Sequence, residues 1–101
     1  MNTDLKTKIL LSAKRAMQGA ITPDLRGVTI DYNKQQITLR AYFDKNASKD
    51  DKELVDVALT EMMADLWQNI VKGYYEPIDL PFPAKMNILK DWIYRRNENS
   101  A

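Results

Sequence analysis

The chain has 101 residues, of which 45% are hydrophobic and 29% charged, with a net charge of +1, no His and no Cys. That length fits one domain and that composition fits a soluble globular protein. The missing residue types remove the usual general base near neutral pH, the thiol nucleophile and the two commonest transition-metal ligands, and the near-balanced charge lacks the basic excess of most nucleic-acid binders.

The charge is unevenly placed. Residues 1–20 hold Lys6, Lys8, Lys14 and Arg15 against Asp4, whereas residues 44–65 hold seven acids against three lysines. Without cysteine, stability must come from packing, which suits the cytoplasm. The run Ile9-Leu10-Leu11 is too short for a signal-peptide core, and no stretch approaches the roughly 18 apolar residues of a membrane span. The nine aromatic residues, Trp67 and Trp92 among them, supply much of the expected core volume.

Residues 3–19 read as a helix. Thr3 is placed to cap it, Asp4 complements the positive end of its dipole, and Leu5, Ile9, Ser12, Ala13, Ala16 and Ala20 follow helical spacing. Gly19 and Pro23 mark its end. Residues 26–32 alternate as a strand through Val28, Ile30 and Tyr32. A turn at Asn33-Lys34-Gln35, where Asn tolerates the left-handed region, leads to a second strand over 36–43 and makes an antiparallel hairpin. Its alternation predicts a sheet covered on one face only.

Ser48 reads as the N-cap of a second helix that ends near Trp67, with Asp50 and Asp51 in the first turn. Val55, Ala58, Leu59, Met62 and Leu66 form its inner stripe; Glu53, Asp56 and Thr60 lie outside. Residues 70–75 read as a third strand with a bulge at Gly73, and Pro77, Pro81 and Pro83 make 77–83 an extended loop. Residues 84–90 suit a helical turn. Residues 91–96 read as a fourth strand, favoured over a helix across 84–97 by Trp92, Ile93 and Tyr94, and the tail from Asn97 is expected to fray. The predicted fold is α+β: a two-layer sandwich in the order α-β-β-α-β-β, with an antiparallel four-stranded sheet and both helices on one face.

No catalytic set emerges. Asp50 and Asp51 are explained as helix-start residues, Glu61 and Asp65 as a solvated edge, and Ser12 and Ser48 have no His to activate them; the spacing of Lys8 and Ser12 is common by chance. The scattered carboxylates follow no calcium-loop pattern, and no glycine-rich phosphate loop is present. Neither a cofactor nor a metal is expected. A nucleic-acid surface built from Arg40, Trp92, Tyr94, Arg95 and Arg96 has the aromatic-plus-cation chemistry of single-strand binding. The competing reading, favoured by the small net charge, puts the aromatics in the core. The acidic stretch from Asp44 to Asp65 is either a solvated face or a docking surface for a basic protein.

The segment Leu11–Ile30, the strand Ile37–Asp44 and the closing Trp92-Ile-Tyr-Arg-Arg96 resemble a family of small bacterial proteins that includes immunity proteins of contact-dependent growth inhibition. The resemblance covers most of the chain and its motifs are structural. It implies a cytoplasmic inhibitor, an antitoxin rather than an enzyme, whose partner is the C-terminal toxin domain of a delivered protein, often a nuclease. Acids can take the places of phosphates in such a partner, which singles out Asp44, Glu53 and Asp56 as toxin contacts. An RNA-binding or adaptor module is the alternative, and the oligomeric state is left open.

Overall fold

The computed structural model describes residues 3–98. Helix α1 (Thr3–Met17) leads into strands β1 (Leu25–Tyr32) and β2 (Gln36–Phe43), then helix α2 (Lys49–Asp65) and strands β3 (Lys72–Asp79) and β4 (Asp91–Arg95). The fold is α+β. The sheet runs in the order β3-β2-β1-β4. It is mixed, not antiparallel: β1 pairs antiparallel with β2 and β4, but β2 and β3 are parallel. After β2 the chain crosses over through α2 and returns in the same direction, which a helical crossover allows and a tight hairpin does not. Side chains alternate identically in either direction, so periodicity carries no sign of it.

The hairpin turn differs from expectation in its chemistry. No described non-glycine residue has a positive φ. Asn33 works through its side chain instead: its Oδ1 accepts from the amides of Gln35 and Gln36, both at 2.9 Å, an Asx-type turn. Helix α1 ends at Met17, before Gly19, and begins at Thr3, whose side chain lies outside the described residues.

Ile9, Ala13 and Met17 of α1 and Val55, Ala58, Leu59 and Met62 of α2 share one core with Val28, Ile30, Ile37, Leu39, Ala41 and Phe43 of the sheet. Gly73 sits under α2, where an added Cβ would meet the Met63 sulfur at 2.8 Å; close helix–sheet approach, and no bulge, accounts for this glycine. The third strand is also longer than predicted and contains Pro77. The amides of Lys72 and Leu80 point to β2, so the odd-numbered positions face the free edge. There the missing N–H of Pro77 breaks no ladder bond and discourages edge-to-edge pairing.

The sheet is not one-sided at its centre. Seven of the eight β1 residues are buried, including Arg26 and Thr29. The second face of β1 is covered by residues 80–90, a strap that turns at 82–84 and then runs over 85–89 without the expected helical turn. Thr29 Oγ1 accepts from the Leu89 amide at 2.8 Å and donates to the Asp91 carbonyl at 2.9 Å, and the Tyr42 hydroxyl donates to the Asn87 carbonyl at 2.6 Å. The Trp92 ring and the Met86 sulfur lie over Gly27. Trp67, by contrast, is 69% exposed and contributes no core volume.

The chain beyond β4 is held in place through Glu98. The Glu98 carboxylate takes two hydrogen bonds from buried Arg26, at 2.7 and 2.9 Å, and a third from Arg96 at 2.8 Å. The expected fraying from Asn97 therefore does not begin before residue 98; residues 99–101 lie outside the described part. The tail is held because Arg26, with 3% of its side chain exposed, needs a counter-charge.

Candidate functional site: the outward face of α2

Helix α2 starts where the sequence specifies. The Ser48 hydroxyl accepts from the Asp51 amide at 3.0 Å and the Asp51 carboxylate accepts from the Ser48 amide at 3.1 Å, a reciprocal capping box. Asp50 and Asp51 in the first turn complement the dipole. Burial of Val55, Ala58, Leu59 and Met62 then fixes which side of the helix faces out.

That outward side carries Asp50, Glu53, Leu54, Val57, Thr60, Glu61 and Ala64 at helical spacing, with Asp56 on its flank, all exposed. Most of the other charges nearby are occupied elsewhere. Lys52 turns away to Asp79, 2.8 Å distant; Asp51 serves the cap; Asp65 accepts from the Ser12 hydroxyl at 3.0 Å. Asp50, Glu53, Asp56 and Glu61 make no ion pair among the described residues. They surround two exposed aliphatic side chains, Leu54 at 39% and Val57 at 53% exposure. An apolar centre within a charged rim is the anatomy of a protein-binding patch. The sequence carried a sign of it, since Leu54 and Val57 fall outside the inner spacing of Val55, Ala58, Leu59 and Met62.

Asp44 is placed differently from Glu53 and Asp56. Its carboxylate pairs with Arg96 at 3.0 Å and accepts from the amides of Lys45 and Phe82, each at 3.1 Å. The hydrogen bond from Arg96 leads the causes that hold its pKa below the ordinary carboxylate range. Asp44 thus pins the loop that feeds α2 to the Pro81–Pro83 turn and the C-terminal segment.

The aromatic and cationic set of the other reading is divided. Arg40 and Trp92 flank Thr29 in the sheet register and share a face, but Arg40 is paired with Glu76 at 3.0 Å. Arg96 is paired with Asp44 and Glu98. Tyr94 is aligned with Val28 and packs against the core. Arg95 alone of the three arginines makes no ion pair among the described residues, and its guanidinium lies 5.2 Å from the centre of the Trp92 ring.

The serine considered for chemistry is also engaged: the Ser12 hydroxyl is buried and donates to Asp65 rather than meeting Lys8. The surface hollows are shallow and open, among them one of about 320 Å³ between α1 and α2 and one of about 490 Å³ beside Phe82 and Arg95. No described helix is long and apolar enough to cross a membrane.

A surface patch on a small fold, rather than a cleft with convergent polar groups, is the expected layout of an inhibitor that works by covering its target. A family model of MafI2 immunity proteins matches residues 6–98. The chain belongs to the MafI2 immunity protein family. No curated protein matches its sequence. Membership agrees with the immunity-protein resemblance carried by Leu11–Ile30, Ile37–Asp44 and Trp92–Arg96. It makes toxin immunity the function of the family and a cognate toxin the implied partner. The match spans α2, both sheet edges and the strap, so the face described above lies wholly inside the matched length of chain.

Proposed function

We propose that this immunity protein binds the C-terminal toxin domain of a contact-dependent growth inhibition system in the cytoplasm, that this domain is a nuclease, and that the outward face of α2 makes the contact. The observation that carries the reading is the group of unpaired carboxylates, Asp50, Glu53, Asp56 and Glu61, around Leu54 and Val57. A nuclease binds a polyanion in a basic groove, and carboxylates on a rigid helix can stand where phosphates would. Inhibition then needs no chemistry from the inhibitor, only occupation of the groove. Asp44 contributes through the loop it pins, which sets the start of α2.

The test uses the purified cognate toxin domain. Glu53→Lys with Asp56→Lys should weaken binding by at least about tenfold, the effect of roughly 1.4 kcal/mol, and should restore digestion of nucleic acid in the presence of equimolar inhibitor. Unchanged affinity in a double variant with an unchanged urea midpoint would refute the placement on α2. A partner toxin with no nuclease activity would refute the choice of target chemistry.

A further inference from the structure

The carboxylates of α2 do not stand alone on the helix layer. Along α1, Lys8, Leu11, Lys14 and Arg15 are exposed at helical spacing, with Leu11 at 56% exposure. The helices are antiparallel neighbours: Lys8, Leu11 and Ser12 border one hollow with Asp65 and Leu66, while Arg15 and Ala16 border another with Glu61, Ala64 and Asp65. Among the described residues none of the three cations makes an ion pair, not even Arg15 with Glu61 across their shared hollow. A basic stripe around an exposed leucine therefore runs beside the acidic stripe around Leu54 and Val57.

Size and charge together decide what the basic stripe meets. A helix of 17 residues offers a footprint of roughly 25 by 10 Å, about 250 Å², whereas a stable protein complex buries about 800 Å² on each partner. A partner seated on α2 therefore extends past it. On one flank lie the Lys52–Asp79 pair and the free edge of β3, which Pro77 blunts. On the other, one helix spacing of about 8–10 Å away, lie Lys8, Leu11 and Arg15. A uniformly basic surface that suited the acids of α2 would meet these cations at about the screening length of physiological salt. Like charges facing each other across a contact disfavour it strongly.

We infer that the basic stripe of α1 is the specificity element of the toxin contact, and that Lys8, Lys14 and Arg15 meet carboxylates which the toxin domain carries about 10 Å from the cations of its groove. The inference rests on the placement of the toxin on α2. A nuclease offers both charges at close quarters: cations hold the phosphates, and carboxylates beside them hold a metal ion or take a proton from water. A basic surface without acids at that spacing is repelled by α1, so the acids of α2 do not hold every basic protein they meet.

Charge removal at equal net charge tests the assignment. One variant carries Lys8→Gln, Lys14→Gln and Arg15→Gln. Its control carries Lys34→Gln, Lys72→Gln and Lys85→Gln, three exposed lysines outside both helices that make no ion pair among the described residues. All six positions are exposed, and urea midpoints verify the fold of each variant. The α1 variant should bind the purified cognate toxin domain at least about tenfold more weakly than the control does. On poly-L-lysine, a basic surface without acids, it should bind several-fold more tightly than the control. Equal toxin affinity of the two variants would overturn the inference, as would equal binding to poly-L-lysine. Double-mutant cycles then pair Arg15→Gln with amide replacement of each carboxylate in the toxin groove. The loss caused by Arg15→Gln should shrink with at least one of them; an undiminished loss with every one would refute the carboxylates as its partners. The Glu53 and Asp56 variants are read separately. Weakening there with none here removes only the role of α1, and the reverse removes only the contact with the acids of α2.

Discussion

At the scale of single residues, two positions carry more than their size suggests. A Cβ added to Gly27 would lie 2.8 Å from Trp92 Cζ3, 3.1 Å from the Met86 sulfur and 3.3 Å from the Tyr94 carbonyl oxygen. A ring and a backbone atom on one side leave little room to give, so Gly27→Ala should cost about 1–3 kcal/mol as overpacking, read as a lower urea midpoint with an unchanged slope. Gly73→Ala meets the flexible Met63 end first and should cost less. The second position is Glu98. It neutralises Arg26 where 3% and 13% of the two side chains are exposed, so Glu98→Ala strands a buried charge and should cost about 3–5 kcal/mol. The hydrogen bond from Arg26 leads the causes that hold the Glu98 pKa below its ordinary value, and the pKa of Asp44 is lowered in the same sense by Arg96. A carboxylate lowered by folding contributes its full stability above its unfolded pKa and loses it as pH falls through the folded one. The protein should therefore lose stability below about pH 4. Glu98→Gln should flatten that acid limb, checked by urea midpoints at neutral and acid pH.

At the scale of elements, the hairpin and α2 were legible because each carries its own local signals: alternation from Val28 to Tyr32 and from Ile37 to Phe43, and Ser48 with Asp51 before a helical stripe. What was not legible depends on distant pairing. The direction of β3 is set by the crossover through α2, and alternation over residues 72–79 is blind to it. Arg26 and Thr29 look like outward positions of a one-sided sheet; only residues 80–90, about 60 positions away for Thr29, make them interior. The acids Glu53 and Asp56 were visible as an outer face, whereas the engagement of Asp44 with Arg96 required a contact across 52 positions. The strap gives its own prediction. Thr29→Val keeps the shape but removes the acceptor for the Leu89 amide and the donor to the Asp91 carbonyl. It should cost about 1–3 kcal/mol and speed hydrogen exchange at the Leu89 amide, while amides in the β1–β2 ladder keep their relative protection.

At the scale of the whole molecule, the net charge of +1 supplies almost no long-range attraction, so any steering must come from the local field of α2. That field extends about 8 Å at physiological ionic strength, which is enough to orient a partner already near the helix. The rim and the centre of the face should then act on different rates. Glu53 and Asp56 are exposed and unpaired, so in the proposed contact they would accelerate encounter more than hold the complex together; Glu53→Gln with Asp56→Gln should lower the association rate with toxin and reduce its salt dependence, leaving dissociation nearly unchanged. Leu54 and Val57 are exposed in the free protein and would be desolvated only in the proposed complex. Leu54→Ala with Val57→Ala should leave association nearly unchanged and raise the dissociation rate, because packing lost at the centre is lost after docking. Stopped-flow association and dissociation at two salt concentrations separate the two classes. Equal effects of both variants on both rates would mean that acids and aliphatics do not occupy rim and centre of one interface, and would move the toxin contact off this face.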